Sequence, residues 1–359
     1  MKAGISIYIG LDNTLEENLQ LIKDASDWRI KSIFTSFHIP ETDTAKFKAE
    51  AQATLKSAKE LGFDIISDIS PNTMEILGMG SKAIDYASIA KLGITTIRLD
   101  DGFSPLEIAA LSRNPYGLKV QLNASTCTES LMINLEENNA AFNNISALHN
   151  FYPRENTGIS EKFCIEKNWL LHEYGIKTGA FIPSMNRPRS PIKAGLPTLE
   201  EHRTCSFDFA LRHLIAMGID DVFVGDSLPS EEELKLLSLM PAHQVNLRAD
   251  IKTKNPELME LLRQCYHTRA DEARDCFRAE ECRIYCKKNN LTVSPENTVA
   301  RRAGDITLDN VNYQRYMGEM QILKCDLPAD ERVNVIASLN EEEQKLLKYL
   351  TSSTAFQFI

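Results

Sequence analysis

Carboxyl side chains recur in the first two thirds of the chain, each soon after a short apolar run. The four that we select as candidate catalytic groups are Glu41, Asp68, Asp100 and Asp226. A single aspartate at such a point is often only a helix N-cap. Several carboxyls that converge on one site repel one another, so that some hold a proton and others stay ionised. That combination suits general acid and base catalysis on a polyhydroxylated substrate.

Neutral polar and aromatic residues occupy equivalent positions along the chain. Asn123 lies at the end of the fifth apolar run, and the sixth run leads into His149, Asn150 and Tyr152. Amide, imidazole and phenol groups donate and accept the hydrogen bonds that a sugar requires. We therefore interpret these four residues as substrate-binding.

The loop after the seventh run, residues 183–203, is far longer than an ordinary βα turn. Its predicted substrate-binding residues are Arg187, Arg189, Glu200, His202 and Arg203. Arginine matches the geometry of a phosphate group best, and barrel enzymes often bind phosphate near strands seven and eight. Because Asp226 would repel an anion, we expect the phosphate on this loop. The alternative is that the arginines pair with Glu200 and Glu201 or form a solvated rim.

These residues are positioned by eight strand-like runs that alternate with helical patterns. The runs are 4–9, 31–36, 63–69, 95–100, 119–124, 145–151, 177–182 and 221–226. Repeated strand–helix units predict right-handed crossovers and a parallel sheet. Eight units in about 230 residues are typical of a (β/α)8 TIM-type barrel, whose active site lies at the C-terminal ends of the strands. An open doubly wound sheet is the alternative, but no G-x-G-x-x-G motif follows the first run.

The pattern changes after residue 240, where short strand-like pieces at 244–249, 305–308, 319–323 and 333–337 alternate with turns. We predict a barrel domain over residues 1–240 and a smaller, mostly antiparallel β domain over 241–359. Arg302, Tyr313 and Arg315 lie near Gly304 in the second domain, and we expect them to border the active site. The alternative is a surface hairpin with solvated charges.

Composition excludes several classes of function. The net charge is −10, which argues against a nucleic-acid partner. No apolar run approaches the length of a membrane span, and the first ten residues carry no signal-peptide core, so we expect a cytoplasmic protein. The eight cysteines include no C-x-x-C pair and fit no zinc spacing. We expect no metal, no cofactor and reduced thiols.

Eight segments, taken in order, resemble the 6-phospho-N-acetylmuramidases of glycoside hydrolase family 170. They are residues 33–36 (IFTS), 68–71 (DISP), 98–103 (RLDDGF), 122–125 (LNAS), 149–153 (HNFYP), 195–203 (GLPTLEEHR), 304–310 (GDITLDN) and 332–336 (RVNVI). Each segment alone is weak evidence for the family, but the ordered set is specific to it and covers nearly the whole chain.

The resemblance implies a barrel followed by a cyclophilin-like C-terminal domain. It also implies hydrolysis of the β-1,4 bond between 6-phospho-N-acetylmuramic acid and N-acetylglucosamine. The partner would be this phosphorylated amino-sugar disaccharide, derived from imported cell-wall fragments. Arg301-Arg302-Ala303 stands where the family pattern has Arg-Pro-Ala, which makes the loop that enters Gly304 less rigid.

Other classes of function stay open at this point. A metal-dependent sugar-phosphate isomerase or epimerase would use Glu41, Asp68, His149 and Asp226 as ligands, and loss of activity with a chelator would favour it. A Schiff-base aldolase needs a lysine at a strand end, and none of the eight ends supplies one. A degenerate barrel that carries a recognition module is a third possibility. Within the glycosidase interpretation we favour Asp68 and Asp100 as the catalytic pair, because they end neighbouring strands.

Overall fold

The computed structural model describes residues 1–36, 44–69, 84–99 and 102–359. The chain forms two compact units, one of residues 1–214 and 219–240 and the other of residues 215–218 and 241–359. No helix among the described residues is both long enough and apolar enough to cross a membrane.

The first unit is a closed barrel of eight parallel strands in chain order, as the sequence predicts. The strands are β1 Lys2–Ile7, β2 Ser32–Ser36, β3 Asp64–Ile69, β4 Thr96–Leu99, β5 Lys119–Asn123, β6 Ile145–Leu148, β7 Lys177–Ile182 and β8 Asp221–Val224. The barrel closes where β1 pairs with β8, with Gly4 opposite Phe223. A Cβ atom on Gly4 would lie 2.2 Å from the Phe223 ring, so only glycine permits that ring to fill the interior.

Helices cover the outside of the barrel, with bounds α1 Leu15–Asp27, α2 Thr44–Glu60, α3 Tyr86–Lys91, α4 Pro105–Ser112, α5 Glu129–Glu137, α6 Glu161–Glu173, α7 Phe207–Ala216 and α8 Glu231–Leu239. Several begin at capping boxes, such as Thr14 with Glu17 and Ser230 with Glu233. A short 3-10 helix, Glu200–Arg203, precedes α7. The barrel interior is filled by apolar side chains, which are Tyr8, Phe34, Ile66, Leu148, Phe181, Leu196 and Phe223.

The second unit is a mostly antiparallel β domain, again as predicted. Its strands are β9 Val245–Leu247, β10 Asp250–Ile251, β11 Cys265–His267, β12 Cys276–Arg278, β13 Asp305–Asp309, β14 Met320–Leu323, β15 Val333–Ser338 and β16 Ala355–Phe358. Five form a sheet in the order β10-β15-β13-β14-β12, and three form a second sheet in the order β11-β16-β9. Its helices are α9 Pro256–Leu262, α10 Cys282–Lys288 and α11 Glu341–Gln344.

Several predicted elements end earlier than expected. Strand β6 stops at Leu148 rather than Phe151, and β8 stops at Val224 rather than Asp226. The predicted closing helix of residues 341–350 is a short α-helix that tightens into a 3-10 helix, Lys345–Tyr349. His149, Asn150 and Asp226 therefore lie in the loops that follow β6 and β8.

Candidate active site

Asp68 lies on β3 near the C-terminal end of the barrel and pairs with Arg98 on β4. The two residues are direct neighbours in the parallel register, and Arg98 Nη1 lies 3.3 Å from Asp68 Oδ1. Arg98 Nη2 donates a short hydrogen bond to Asn150 Oδ1 after β6. Both charges are largely buried, with 3% of the Arg98 side chain and 13% of the Asp68 side chain exposed. A buried ion pair with a further hydrogen bond holds the Asp68 carboxylate in one orientation.

Sequence reasoning missed Arg98, although a signal was present. The residue interrupts an apolar strand, Ile97-Arg98-Leu99. Arginine is almost never fully buried without a partner, so an arginine within a barrel strand indicates a nearby carboxylate.

His149 lies in a buried hydrogen-bond network between the barrel and α6. Its Nε2 lies 3.0 Å from Asn168 Oδ1, and its Nδ1 lies 3.1 Å from Ser125 Oγ. The Ser125 hydroxyl in turn accepts the N–H of Asn150 at 3.1 Å. Burial lowers the pKa of His149 to about 4, so the ring is neutral near pH 7. His149 therefore positions Asn150, and through it Arg98, whereas the sequence favoured contact with substrate.

We expect a His149→Phe variant to be less stable but to keep the pH dependence of its activity. The change removes the buried contacts that Ser125 Oγ and Asn168 Oδ1 make with His149, which costs about 1–3 kcal/mol of unfolding free energy. Because His149 does not titrate near neutrality, the pH–rate profile keeps its shape between about pH 5 and 8, the range in which an ordinary histidine titrates. Urea denaturation and pH–rate profiles check this, with the half-exposed His172→Phe as control. A lost ionisation in that range would contradict the positioning role.

Asp226 is fully buried and organises the loop that follows β7. Its Oδ1 accepts the N–H of Arg189 at 2.9 Å, and its Oδ2 accepts those of Ser184 at 2.9 Å and Leu196 at 3.0 Å. Burial raises its pKa to about 6, although these three hydrogen bonds oppose the shift. A Cβ on the preceding Gly225 would lie 2.4 Å from the Leu196 carbonyl oxygen, so glycine lets the loop approach this closely. The carboxylate thus holds the loop against β8.

A second set of contacts fixes the end of the same loop. Arg203 forms a bidentate pair with Glu200, at 2.7 and 2.9 Å. Glu200 also accepts the N–H groups of Asn156 at 2.8 Å and Gly158 at 2.7 Å. The remaining Arg203 donors reach main-chain carbonyls at 2.9–3.1 Å, those of Tyr152, Ala194 and Gly195. Arg203 and Glu200 therefore bind each other and the backbone, the alternative that the sequence left open.

The Glu200–Arg203 pair predicts a pH-dependent contribution to stability. Hydrogen bonds from Arg203 hold the pKa of Glu200 at about 2, below its ordinary 4.5. A carboxyl with a lowered folded pKa stabilises the fold above its unfolded pKa, and this contribution is lost as pH falls from about 4.5 to about 2. We expect Glu200→Gln to lower the unfolding free energy by about 2 kcal/mol at neutral pH. Urea denaturation of the wild type and of Glu200→Gln at decreasing pH checks this. The difference in unfolding free energy between the two proteins should shrink near about pH 3, which lies between the folded and the ordinary pKa. A difference as large there as at neutral pH would contradict the prediction.

Arg189 is the arginine of this loop that has no carboxylate partner in the described part of the chain. Its guanidinium carbon lies 4.7 Å from the centre of the Tyr8 ring and 5.0 Å from that of Phe151. Its Nε is buried without a hydrogen-bond partner among the described residues. Tyr8 is itself fixed by a 2.6 Å hydrogen bond to the Gly225 carbonyl. Cation–π contacts hold the guanidinium in place and leave hydrogen-bond donors for a ligand.

Charges converge around the buried Tyr8 ring. Arg189, Asp226 and Asp68 all act electrostatically on its hydroxyl, and burial raises the pKa of that hydroxyl above its usual range. These three residues come from the ends of β3 and β8 and from the loop after β7. The structure thus brings a cation and two carboxylates to one end of the barrel.

Other predicted site residues have partners elsewhere. Arg187 pairs with Glu17 of α1 at 2.9 Å. His202 is fully buried, and its Nε2 lies 2.9 Å from His213 Nδ1. Asn123 Oδ1 accepts the N–H of Ser125 at 3.1 Å. Glu41 and Asp100 lie outside the described residues.

Tyr152 lies on the segment after β6, and its N–H donates to the Pro197 carbonyl at 2.9 Å. In the second unit, the exposed Arg302 donates its N–H to Asp305 at 2.7 Å. Arg332 stacks over the Tyr313 ring at 4.5 Å. Arg315 stacks over the Tyr316 ring at 4.9 Å. That Arg302, Tyr313 and Arg315 border the active site stays a prediction.

The closed barrel, with an ion-paired aspartate near the C-terminal end of β3, defines a (β/α)8-barrel enzyme. The models of two family domains match the chain, "6-phospho-N-acetylmuramidase, N-terminal" over residues 3–239 and "6-phospho-N-acetylmuramidase, C-terminal" over residues 244–359. The chain belongs to the 6-phospho-N-acetylmuramidase family and is a glycoside hydrolase, as the resemblance predicted.

Two solved structures resemble the whole chain. An uncharacterized B. cereus protein is 30% identical over 100% of this chain and 99% of its own, with a TM-score of 0.84. A conserved protein of unknown function from an Enterococcus faecalis locus is 32% identical over 100% of this chain and 96% of its own, with a TM-score of 0.69. None of the curated proteins matches the chain.

Proposed function

We propose that this enzyme hydrolyses the β-1,4 bond between 6-phospho-N-acetylmuramic acid and N-acetylglucosamine, in the cytoplasmic recycling of cell-wall fragments. The environment of the Arg189 guanidinium is the main observation that supports this proposal. Its guanidinium lies against two aromatic rings, forms no ion pair with a carboxylate among the described residues, and acts electrostatically on the same tyrosine as Asp68. An acidic protein needs such a local cation to bind a phosphorylated sugar.

Of the three arginines in the loop after β7, we favour Arg189 as the phosphate-binding residue, because the other two are engaged by other partners. Arg203 uses its donors on Glu200 and on main-chain carbonyls. Arg187 is paired with Glu17. The Arg189 guanidinium forms no ion pair with a carboxylate among the described residues, and the main-chain N–H of Arg189 donates to Asp226. We place the 6-phosphate on this guanidinium.

Asp68 is proposed as one of the two catalytic carboxyls. Its pairing with Arg98 suits it to act in the ionised form, as nucleophile or general base. The second carboxyl must donate a proton to O4 of the leaving N-acetylglucosamine while water supplies the new hydroxyl at the anomeric carbon. We propose Asp100, which follows the neighbouring strand, for this role.

The isomerase alternative is not favoured, because two of its four proposed ligands are committed elsewhere. Both ring nitrogens of His149 face Asn168 and Ser125. Both carboxylate oxygens of Asp226 accept main-chain N–H groups. Both His149 ring nitrogens are therefore occupied, and the Asp226 carboxylate is already bound to three main-chain N–H groups.

Product analysis by mass spectrometry tests the proposal. The purified enzyme is incubated with the phosphorylated disaccharide and, in parallel, with its unphosphorylated form. We expect free N-acetylglucosamine and 6-phospho-N-acetylmuramic acid from the first and far slower cleavage of the second. Equal cleavage of both substrates would contradict the phosphate site. A product of unchanged mass would indicate an isomerase.

A further inference from the structure

Three side chains of metal-ligating type converge on the outer layer of the barrel, and none of them is a proposed catalytic or phosphate-binding residue. Glu161 lies at the start of α6, Glu201 in the 3-10 helix Glu200–Arg203, and His213 in α7. One ligand atom of each lies within 4.8 Å of the other two. Among the described residues, no other three histidine, cysteine or carboxylate side chains come this close together. We propose that they bind a divalent transition metal, with Zn²⁺ as the best match.

The ligand types and one distance support this assignment. Imidazole nitrogen with carboxylate oxygen suits Zn²⁺, whereas Ca²⁺ and Mg²⁺ prefer oxygen ligands alone. Zinc bonds of about 2.0–2.2 Å place tetrahedral ligand atoms roughly 3.3–3.6 Å apart. Glu161 Oε2 and His213 Nε2 are 3.5 Å apart, which fits one shared ion and is long for a direct N–H···O hydrogen bond. Glu201 is exposed, so its carboxylate can close the remaining gap.

A second residue fixes the histidine for this role. His213 is buried, and its Nδ1 lies 2.9 Å from Nε2 of the fully buried His202. Metal-bound histidines usually form such a hydrogen bond through their other ring nitrogen, which sets the direction of the ligating one. Here the contact with His202 leaves Nε2 of His213 directed at the Glu161 carboxylate. This arrangement gives His202 a function that the active site does not explain.

The ion would join three separate elements at the end of the loop after β7. Glu201 follows Glu200, whose pair with Arg203 already fixes this part of the chain. A metal shared by Glu201, α6 and α7 would add a second attachment for the same loop. We therefore expect metal binding to raise thermal stability, whatever the substrate of the enzyme is.

Titration of the metal-stripped full-length protein tests the site. The protein is treated with EDTA, dialysed, and titrated with Zn²⁺ by calorimetry and with Co²⁺ by visible absorption. We expect one saturable site per chain, a rise in Tm with Zn²⁺, and no rise with Mg²⁺. Loss of a partner outside the ligand sphere costs about 10–100-fold in metal affinity. We expect Glu201→Gln or His213→Gln to weaken binding by at least that factor.

The matched control is His172→Gln, since His172 lies 3.0 Å from one carboxylate, that of Asp220. This variant should bind Zn²⁺ like the wild type. If His213→Gln does not fold, the exposed Glu201→Gln still decides the question. The proposal is overturned by a wild type that shows no saturable binding. Binding that survives both Glu201→Gln and Glu161→Gln overturns it equally.

Discussion

An Asp68→Asn enzyme is expected to lose about 10²- to 10⁴-fold in kcat while keeping its fold. The amide retains an oxygen for the hydrogen bond from Arg98, 3.3 Å away in the wild type, so the strand ends stay in place. It can serve neither as a nucleophile nor as a base, so the chemical step itself slows. Steady-state kinetics on the phosphorylated disaccharide, with circular dichroism of the same preparation, check the prediction.

The same strand provides a matched control. Asp64 begins β3 at the opposite end of the barrel and pairs with Lys2 at 2.9 Å, with 42% of its side chain exposed. Asp64→Asn removes an identical charge from the same strand and should leave kcat within about twofold, since exposed ion pairs contribute little. A folded Asp68→Asn enzyme as active as the Asp64→Asn control would remove Asp68 from the mechanism.

Removing the Arg189 side chain is expected to abolish the preference for a phosphorylated substrate. Loss of a desolvated charged contact costs about 2–5 kcal/mol, which corresponds to a decrease in kcat/KM of about 30-fold or more. The decrease should appear with the phosphorylated disaccharide alone, because the unphosphorylated form has no group for Arg189 to bind. Arg189→Lys should recover part of the activity, as it keeps the charge but loses the bidentate geometry.

Arg187→Ala serves as the control for this experiment. Arg187 lies two residues away on the same loop, but its guanidinium is engaged by Glu17 and Asn13. We expect this variant to prefer the phosphorylated substrate as strongly as the wild type does. Loss of the preference in Arg187→Ala, with its retention in Arg189→Ala, would move the phosphate site to Arg187.

The barrel was predictable from the sequence because the alternation of strand-like runs with helical patterns depends on neighbours along the chain. Side-chain direction at the strand ends was not. In an extended segment successive residues face opposite sides. Leu148 packs inside the barrel, so His149 faces α6 and Asn150 turns back toward Arg98. The sequence identified all three positions as a strand end but could not assign their faces, which depend on the register of the closed sheet.

Charge pairing was the second feature that the sequence left undecided. The loop after β7 presents three arginines, and any of them could hold an anion. The structure distinguishes the three arginines by their partners. Arg203 forms an ion pair with Glu200, Arg187 forms one with Glu17, and Arg189 contacts aromatic rings. Glu17 lies far from Arg187 in sequence, and no local pattern reports such a contact. Arg98 has a local signal, its place in an apolar strand, but its partners Asp68 and Asn150 lie on other barrel segments and could not be named from the sequence.

The most direct test of the proposed reaction is hydrolysis of the phosphorylated disaccharide in H₂¹⁸O, followed by prompt mass spectrometry of both products. We predict one ¹⁸O atom in 6-phospho-N-acetylmuramic acid, at the anomeric carbon, and none in N-acetylglucosamine. Unlabelled samples of both products, kept in H₂¹⁸O for the same time, correct for exchange at their anomeric carbons. Label in the N-acetylglucosamine, or no cleavage of this disaccharide by the folded enzyme, would contradict the proposed reaction.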